Sequence, residues 1–458
     1  MPSTAVVWFR RDLRLHDHPA LRRAVEKYER ILPLFVVDDA LVGGRWPSPN
    51  RLWFMASSVQ ALAEELRERG APLTVLRGRP SQVVPEFAAA AGAQAILVSR
   101  DYAPYGRRRD AKVERQAHAR GIHFDAQPGV LVHEPEAVQR AGGGPFTVFS
   151  PFCRAWEALP LRSIVAPPKR IVGATVPGGA TGSIWDQLGS IEPTASPQLL
   201  LEPGEGAARG RLADWAASDT LDDYDEGRDR LDRNGTSRLS QDLRWGLLSP
   251  LQVLEATVGT GAGRRRFQSE ICWRDFYAHL LWHQPRVAKS AFVTELEAVA
   301  WETDEGVIQA WRDGRTGYPV VDAAMRQLAA TGWMHNRARM ITASFLTKDL
   351  GVDWRVGEAH FMSHLLDGDP ASNNGGWQWA SSTGTDAQPY FRIFNPTLQA
   401  RRHDPDGDYV RRWLPELTDQ PGPAVHEPPA GTYLPLIVDH AAARRRALDA
   451  YGSLRRPR

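Results

Sequence analysis

Along the first 130 residues, short apolar runs alternate with stretches whose apolar positions recur every three to four residues. The runs Ala5–Phe9 (AVVWF), Ile31–Val37 (ILPLFVV), Leu73–Leu76 (LTVL) and Ala95–Val98 (AILV) predict strands buried on both faces. Between them, Ala20–Arg30 and Ser57–Arg69 predict amphipathic helices, the second closed by Gly70. Strands alternating with helices predict an α/β region built on a parallel, doubly wound sheet, which takes ligands beyond the carboxyl ends of its strands. No GxGxxG follows the first strand, so the dinucleotide fingerprint is absent.

From about Ala141 to Gly210 the periodicity dissolves into Gly, Pro and Ser (GGGP at 142–145, PP at 167–168, PGG at 177–179), which predicts a long connector draped over the surface. Beyond it only helical patterns remain. Ser249-Pro-Leu-Gln252 is a capping box with proline at the first helical position, opening a helix through Thr257. Further helices are predicted from Val320 to Ala330, from Asn336 to Leu350 and from Trp354 to Leu366, each stopped by a following glycine. The chain therefore divides into an α/β region (1–135), a connector (136–209) and an all-α region (210–458).

Composition narrows the chemistry. At 458 residues, 42% hydrophobic and 24% charged, the chain is an ordinary globular sequence long enough for two or three domains. A net charge of +2 excludes a polybasic protein but leaves room for a local basic groove. Tryptophan is unusually frequent, 16 residues against 15 Phe and 10 Tyr, and eleven of them follow residue 206. Cys153 and Cys272 stand far apart in sequence with no CxxC, which argues against a disulfide framework or a Cys-rich zinc site. Arg10 and Arg11 interrupt any signal-like apolar core, and no apolar run reaches membrane length, so a cytoplasmic protein is expected.

Several clusters could carry function. GTSRLS (235–240) reads as a donor-rich loop for a diphosphate or, more blandly, as a helix N-cap beside a solvated arginine. Glu270, Trp273, Arg274 and Tyr277 fall on one helical face, as a pocket wall or as an ion pair beside a core aromatic. Asn336 and Met340 share another face. The segment LLDGDPASNNGGWQWASSTGTD (365–386), dense in Asp, Asn and Gly beside Trp377 and Trp379, is not expected to form a long helix. It suggests backbone brought close to a polar aromatic ligand. His279/His283 and His360/His364 have i, i+4 spacing, but neither is an HExxH and no metal site is assigned. Neither GxSxG nor a P-loop is present.

The blocks WFRRDLRLHDHPAL (8–21), GTSRLS (235–240), WRDFYAHL (273–280), TGYPVVDAAMRQLAATGWMHNRARMITASFLTKDL (316–350) and DGDPASNNGGWQWASSTGTDAQPYFRIFNP (367–396) closely resemble the DNA photolyase/cryptochrome family, specifically its class I cyclobutane pyrimidine dimer (CPD) photolyases. The resemblance implies a Rossmann-like α/β antenna domain, a connector and a helical FAD domain. It implies that Tyr224, the loop Thr236, Ser237, Arg238, Leu239 and Ser240, Phe267, Arg274, Asp367, Gly368 and Asp369 hold FAD. It also places Asn373 opposite flavin N5 and the Arg339–Asp367 pair beside the ring, where a guanidinium stabilises the reduced anion. Phe267 stands where some relatives carry Trp. Glu270, Trp273, Asn336, Met340 and Trp379 match the pocket for the flipped-out dimer, and Arg228, Arg337 and Gln399 match positions contacting the DNA strand. Trp377, Trp354 and Trp301 match the chain that passes electrons to oxidised flavin.

The implied reaction is repair of UV-damaged DNA: light-excited FADH⁻ donates an electron to the dimer, the cyclobutane ring splits, and the electron returns. A (6–4) photolyase is a rival, but such repair needs proton transfer, and its relatives carry histidines where this chain has Asn336 and Met340. A blue-light-signalling cryptochrome is the rival of another class; Asn373 is the photolyase-like choice, and no long tail follows the matching blocks. A generic flavin electron-transfer protein leaves the Glu270, Trp273 and Trp379 pocket unexplained. Asp101-Tyr-Ala-Pro-Tyr-Gly-Arg107 is similar to the loop of relatives that bind 8-hydroxy-5-deazaflavin as antenna, with Phe35, Arg51, Asp101 and Arg244 as contacts. Methenyltetrahydrofolate-binding relatives carry Asn-Glu where this chain has Tyr105-Gly106, and an empty pocket is the third alternative. A monomer without a protein partner is expected.

Overall fold

Because their residues are apolar on both sides, the first strands can be satisfied only inside a covered sheet. The computed structural model describes residues 2–179, 182–387, 389 and 391–454, and builds that sheet from β1 (Thr4–Phe9), β2 (Arg30–Asp38), β3 (Thr74–Gly78), β4 (Ala95–Ser99) and β5 (His123–Gln127). All neighbours are parallel, in the order β3-β2-β1-β4-β5. The first four strands lie where the apolar runs predict. β5, HFDAQ, has no such run because an edge strand needs little apolar patterning: of its five residues only Phe124 is buried.

Helices α1 (Pro19–Lys27), α2 (Pro49–Glu68), α3 (Pro80–Ala90) and α4 (Pro104–His118) cover the faces, each opened by a proline whose missing N–H costs nothing there. Gly70, at φ +95°, follows α2 in a conformation that L side chains rarely adopt. The strand order reverses at β1, so the crevice between the ends of β1 and β4 is the place for ligands. Arg10 and Arg11 leave β1 there, and Asp101 follows β4.

The connector is not draped. Its helix α5 (Phe149–Glu157) buries Phe152 and Trp156, and farther along Ile171, Ile184 and Ala195 are buried. Gly173 pairs with Ile31 of β2. These apolar residues lie far apart among Gly and Pro, so local patterning hides them. The connector also brings together two residues that stand far apart in sequence: α5 carries Cys153 against Cys272, both of them free thiols.

The second half is largely helical, and its cavity-forming part is built on α6 (Ala262–His283), α7 (Pro319–Thr331), α8 (Asn336–Ser344), α9 (Trp354–His364) and α10 (Pro370–Ala380). The Ser249 capping box forms as predicted, and Gly332 closes α7 in the left-handed region. The helix expected to run from Asn336 to Leu350 instead ends at Ser344 and passes into one π-helical turn, Phe345–Asp349. Contrary to expectation, 365–386 contains an eleven-residue helix, α10. Asp369 caps it, accepting from the amides of Ala371 and Ser372, and Pro370 starts it. Gly375 serves packing rather than looping: a Cβ there would lie 2.1 Å from the Tyr277 ring.

The two largest apolar clusters flank the candidate site. One joins the inner sheet face, α2, α5 and α6; the other gathers α7 to α10 around Trp311, Trp354 and Trp377.

Candidate functional site

A cavity of about 510 Å³ opens between the clusters, a size proper to a bound cofactor. Its walls include Tyr224, Ser237, Leu239, Ser240, Phe267, Arg274, Arg339, Asp367, Gly368, Asp369 and Asn373. The same cavity is lined by Arg228, Glu270, Trp273, Asn336, Arg337, Met340 and Trp379. The two sets expected to hold cofactor and lesion thus share one hollow. Exposure separates them only in part: Tyr224, Leu239, Phe267, Asp367 and Gly368 are buried, but Ser237, Arg274, Arg339, Asp369 and Asn373 are half-buried, as are Arg228, Glu270, Trp273, Arg337, Met340 and Trp379, and Ser240 and Asn336 are exposed. Thr236, Arg238 and Gln399 do not line it; Arg238 sits over the Trp333 ring at 4.7 Å.

Charge is arranged with equal economy. Arg339 grips Asp367 through both terminal nitrogens, at 2.8 and 3.3 Å, while its Nε donates to the Met334 carbonyl. Fork-to-fork pairing holds the guanidinium plane in place. Burial alone would raise the Asp369 carboxyl, but Arg11 at 2.5 Å, Arg244 and the α10 amides outweigh it and hold it well below the usual range. Glu270 pairs with Arg228 at 2.8 Å and Arg266 at 3.3 Å, yet burial still raises its carboxyl. Arg337 pairs with Asp229 at 2.6 Å. Arg266 was legible as an i, i+4 partner of Glu270. Arg11 and Asp229 carried no local signal.

Arg244, expected at the antenna, lies instead in the wall of the large cavity, where its Nε donates to the Gly368 carbonyl at 2.8 Å. Burial, then Arg11, pushes it down to about 9. Arg51 approaches the same glycine and donates to the Trp46 carbonyl at 2.7 Å. Asp101 faces Arg11 and Arg109 at the sheet crevice, and Phe35 is buried on β2. These four residues therefore extend from the sheet to the cavity wall.

Among the tryptophans, Trp377 lines the cavity and is 2% exposed, Trp354 is 1% exposed, and Trp301 is half-buried. A Cβ on Gly357 would lie 2.0 Å from Trp377, so that glycine lets the indole lie against the helix that Trp354 opens. Glu302 bridges to Val352, which brings Trp301 beside the residues preceding Trp354. Among the described residues no cluster of three or more His, Cys, Asp or Glu could hold a metal, and no helix is long and apolar enough to cross a membrane.

Glu358 of α9 lies behind Asn373: its carbonyl accepts from Asn373 at 3.1 Å, and its carboxylate from Asn374 at 3.0 Å. Burial, opposed by the Asn374 bond, raises this carboxyl to about 7. A folded-state value above the unfolded one favours the fold at acid pH, an advantage lost as pH rises through neutrality. Glu358→Gln is expected to flatten that part of the dependence of thermal midpoint on pH; an unchanged slope would show that Glu358 does not titrate there.

The family description "FAD binding domain of DNA photolyase" matches residues 267–453, and "DNA photolyase" matches residues 5–170. A deoxyribodipyrimidine photo-lyase of Agrobacterium fabrum is 38% identical, over 99% of this chain and 98% of its own. Among solved structures, a class III photolyase from Agrobacterium tumefaciens superposes with a TM-score of 0.93 at 36% identity, covering 99% of this chain and 98% of that one. An archaeal photolyase from Sulfolobus tokodaii, described with two FAD molecules that imply a novel light-harvesting cofactor, gives a TM-score of 0.87 at 31% identity, covering 98% of this chain and 100% of that one.

Proposed function

Since the chain belongs to the DNA photolyase family, we propose that it is a light-driven repair enzyme, a deoxyribodipyrimidine photo-lyase that splits cyclobutane pyrimidine dimers in UV-damaged DNA. The observation that carries this reading is the single cavity uniting the Arg339–Asp367 pair with the half-buried Glu270, Trp273, Met340 and Trp379. Met340 stands where proton-transferring repair of a (6–4) lesion would need an acid, which favours the cyclobutane dimer.

The residues present suit FAD. Besides the volume, the buried Nη1 of Arg244, in the cavity wall, has no partner of its own, as expected of a group kept for an anionic ligand. Tyr224, Ser237, Ser240, Arg274 and Asp369 would hold the cofactor, with Asn373 and the Arg339–Asp367 pair beside its ring. When bound, FAD in its reduced form supplies the light-driven electron to the dimer and takes it back. The protein's part is to bind and place the lesion. Photolyases are among the base-flipping enzymes, and a dimer already stacks poorly, so extruding it costs less than extruding an intact base. Trp273 and Trp379 would stack on the pyrimidine rings. Glu270, its carboxyl raised by burial, would hydrogen-bond their polar edges. Arg228 and Arg337 would meet backbone phosphates, which localises cationic character on a nearly neutral chain. No side chain needs to act as a nucleophile.

For the second chromophore we favour 8-hydroxy-5-deazaflavin near Phe35, Arg51 and Asp101, an assignment supported by the Asp101–Arg107 loop. Tyr105 donates to Asp38 at 2.5 Å, joining that loop to the end of β2. An absorption band well separated from flavin in the purified protein is expected; a folate band or none overturns this choice. We place the enzyme in the cytoplasm as a monomer.

The decisive experiment is direct. Full-length protein carrying fully reduced FAD is expected to restore intact thymines from dimer-containing DNA under blue light and not in the dark. Dimers persisting under illumination would remove the assignment.

A further inference from the structure

The two cysteines belong to no part of this mechanism, yet tertiary packing brings them together. Helix α5 crosses α6 along a face whose contacts bracket the pair. Phe149 lies flat on Trp273, ring centroids 3.7 Å apart and planes within 5°. On the other side, the Trp156 indole donates to Asp275 at 3.0 Å, and Phe152 meets Phe276 at 5.2 Å. Between these contacts Cys153 packs against the buried cluster that holds Cys272, and the two sulfurs interact. Both are free thiols; Cys272 is fully buried, while Cys153 is half-buried and donates to Glu157 at 3.5 Å.

We propose that Cys153 and Cys272 are a reversible oxidation site, closing into a disulfide that pins the connector helix α5 to α6 directly beside Trp273. The oxidant is a peroxide, and the unequal exposure of the two sulfurs sets the order of events. Cys153, within reach of solvent, attacks one peroxide oxygen; with hydrogen peroxide the O–O bond breaks, water leaves and a sulfenic acid forms. The Cys272 sulfur then displaces that oxygen as a second water, its thiol proton leaving with it. Two thiols lose two electrons, and one hydrogen peroxide becomes two waters. The neighbouring Cys153, more than burial, pushes the Cys272 thiol far up, so the first attack on peroxide does not come from Cys272.

The bridge stiffens the backing of the lesion pocket. Phe149 covers one face of Trp273, and a covalent link at the adjacent residue holds that cover in place. It also closes a long loop of chain, which restricts the unfolded state.

The test uses the full-length, FAD-loaded protein treated with hydrogen peroxide, then alkylated under denaturing conditions and digested without reductant. A mass deficit of two hydrogens, a peptide joining Cys153 to Cys272 and a raised thermal midpoint are expected, all reversed by dithiothreitol. Cys153→Ser, at a half-buried position, is expected to retain FAD and show neither the cross-link nor the raised midpoint. In Cys272→Ala, Cys153 is expected to gain oxygens instead, as an unresolved sulfenic acid does. Two alkylatable thiols after peroxide, further oxidation of Cys153 in the unaltered chain, or dimers joined through Cys153 would each overturn the proposal.

Discussion

Replacing Arg339 by alanine is expected to strip the protein of FAD. Arg339 holds Asp367 through two bonds, and the Asp367 side chain is 4% exposed. Removing one partner of such a pair strands the other charge in a poor solvent, at a cost of about 3–5 kcal/mol. The carboxylate so stranded lines the cavity, so cofactor binding bears much of that cost. A loss of FAD affinity on the order of a hundredfold or more follows, since each 1.4 kcal/mol is about tenfold. The measurement is the ratio of flavin absorbance to protein after purification and dialysis. Arg339→Lys keeps the charge but not the planar fork, and should fall between the wild type and alanine. Full flavin content in Arg339→Ala would detach this pair from the cofactor.

The second large effect is expected at Trp377. Trp377→Phe should nearly abolish photoreduction of oxidised FAD in the presence of an external reductant. Repair by protein reduced chemically beforehand should survive. The separation follows from position. Trp377 lines the cavity, Gly357 lets it rest against the helix begun by Trp354, and Trp301 lies next along the Glu302–Val352 bridge toward solvent. Phenylalanine preserves much of the packing against Phe361, whose ring centroid lies 4.9 Å away. It removes only the easily oxidised indole. Trp301→Phe is expected to act in the same direction from the outer end. Unimpaired photoreduction would sink the relay, and loss of pre-reduced repair as well would mean that Trp377 supports the site itself.

Much of the site was legible because its residues sit in compact blocks. Glu270, Trp273 and Arg274 are turns of one helix, and Asp367–Asp369 lead directly into another. What escaped was of two kinds. The density of Asp, Asn and Gly over 365–386 argues against a long helix, yet Asn373 and Trp377 sit on an eleven-residue one. Here Gly375 is demanded by the Tyr277 ring, and the Asp369 cap offsets the loss of helix propensity. Arg244 was assigned to the α/β side, but its guanidinium turns to the Gly368 carbonyl.

The sequence by itself determined the buried strands, the capped helix ends and the motif blocks. Apolar runs have few places to go, and caps and turns depend on residues only a few positions apart. Only the tertiary structure decided which distant groups meet. Arg11 reaches Asp369 across 358 residues, Asp229 neutralises Arg337, and α5 carries Cys153 to Cys272. Such meetings depend on how helices cross and how a connector packs. That geometry is set by summed burial over whole surfaces, and no single stretch of the chain records it.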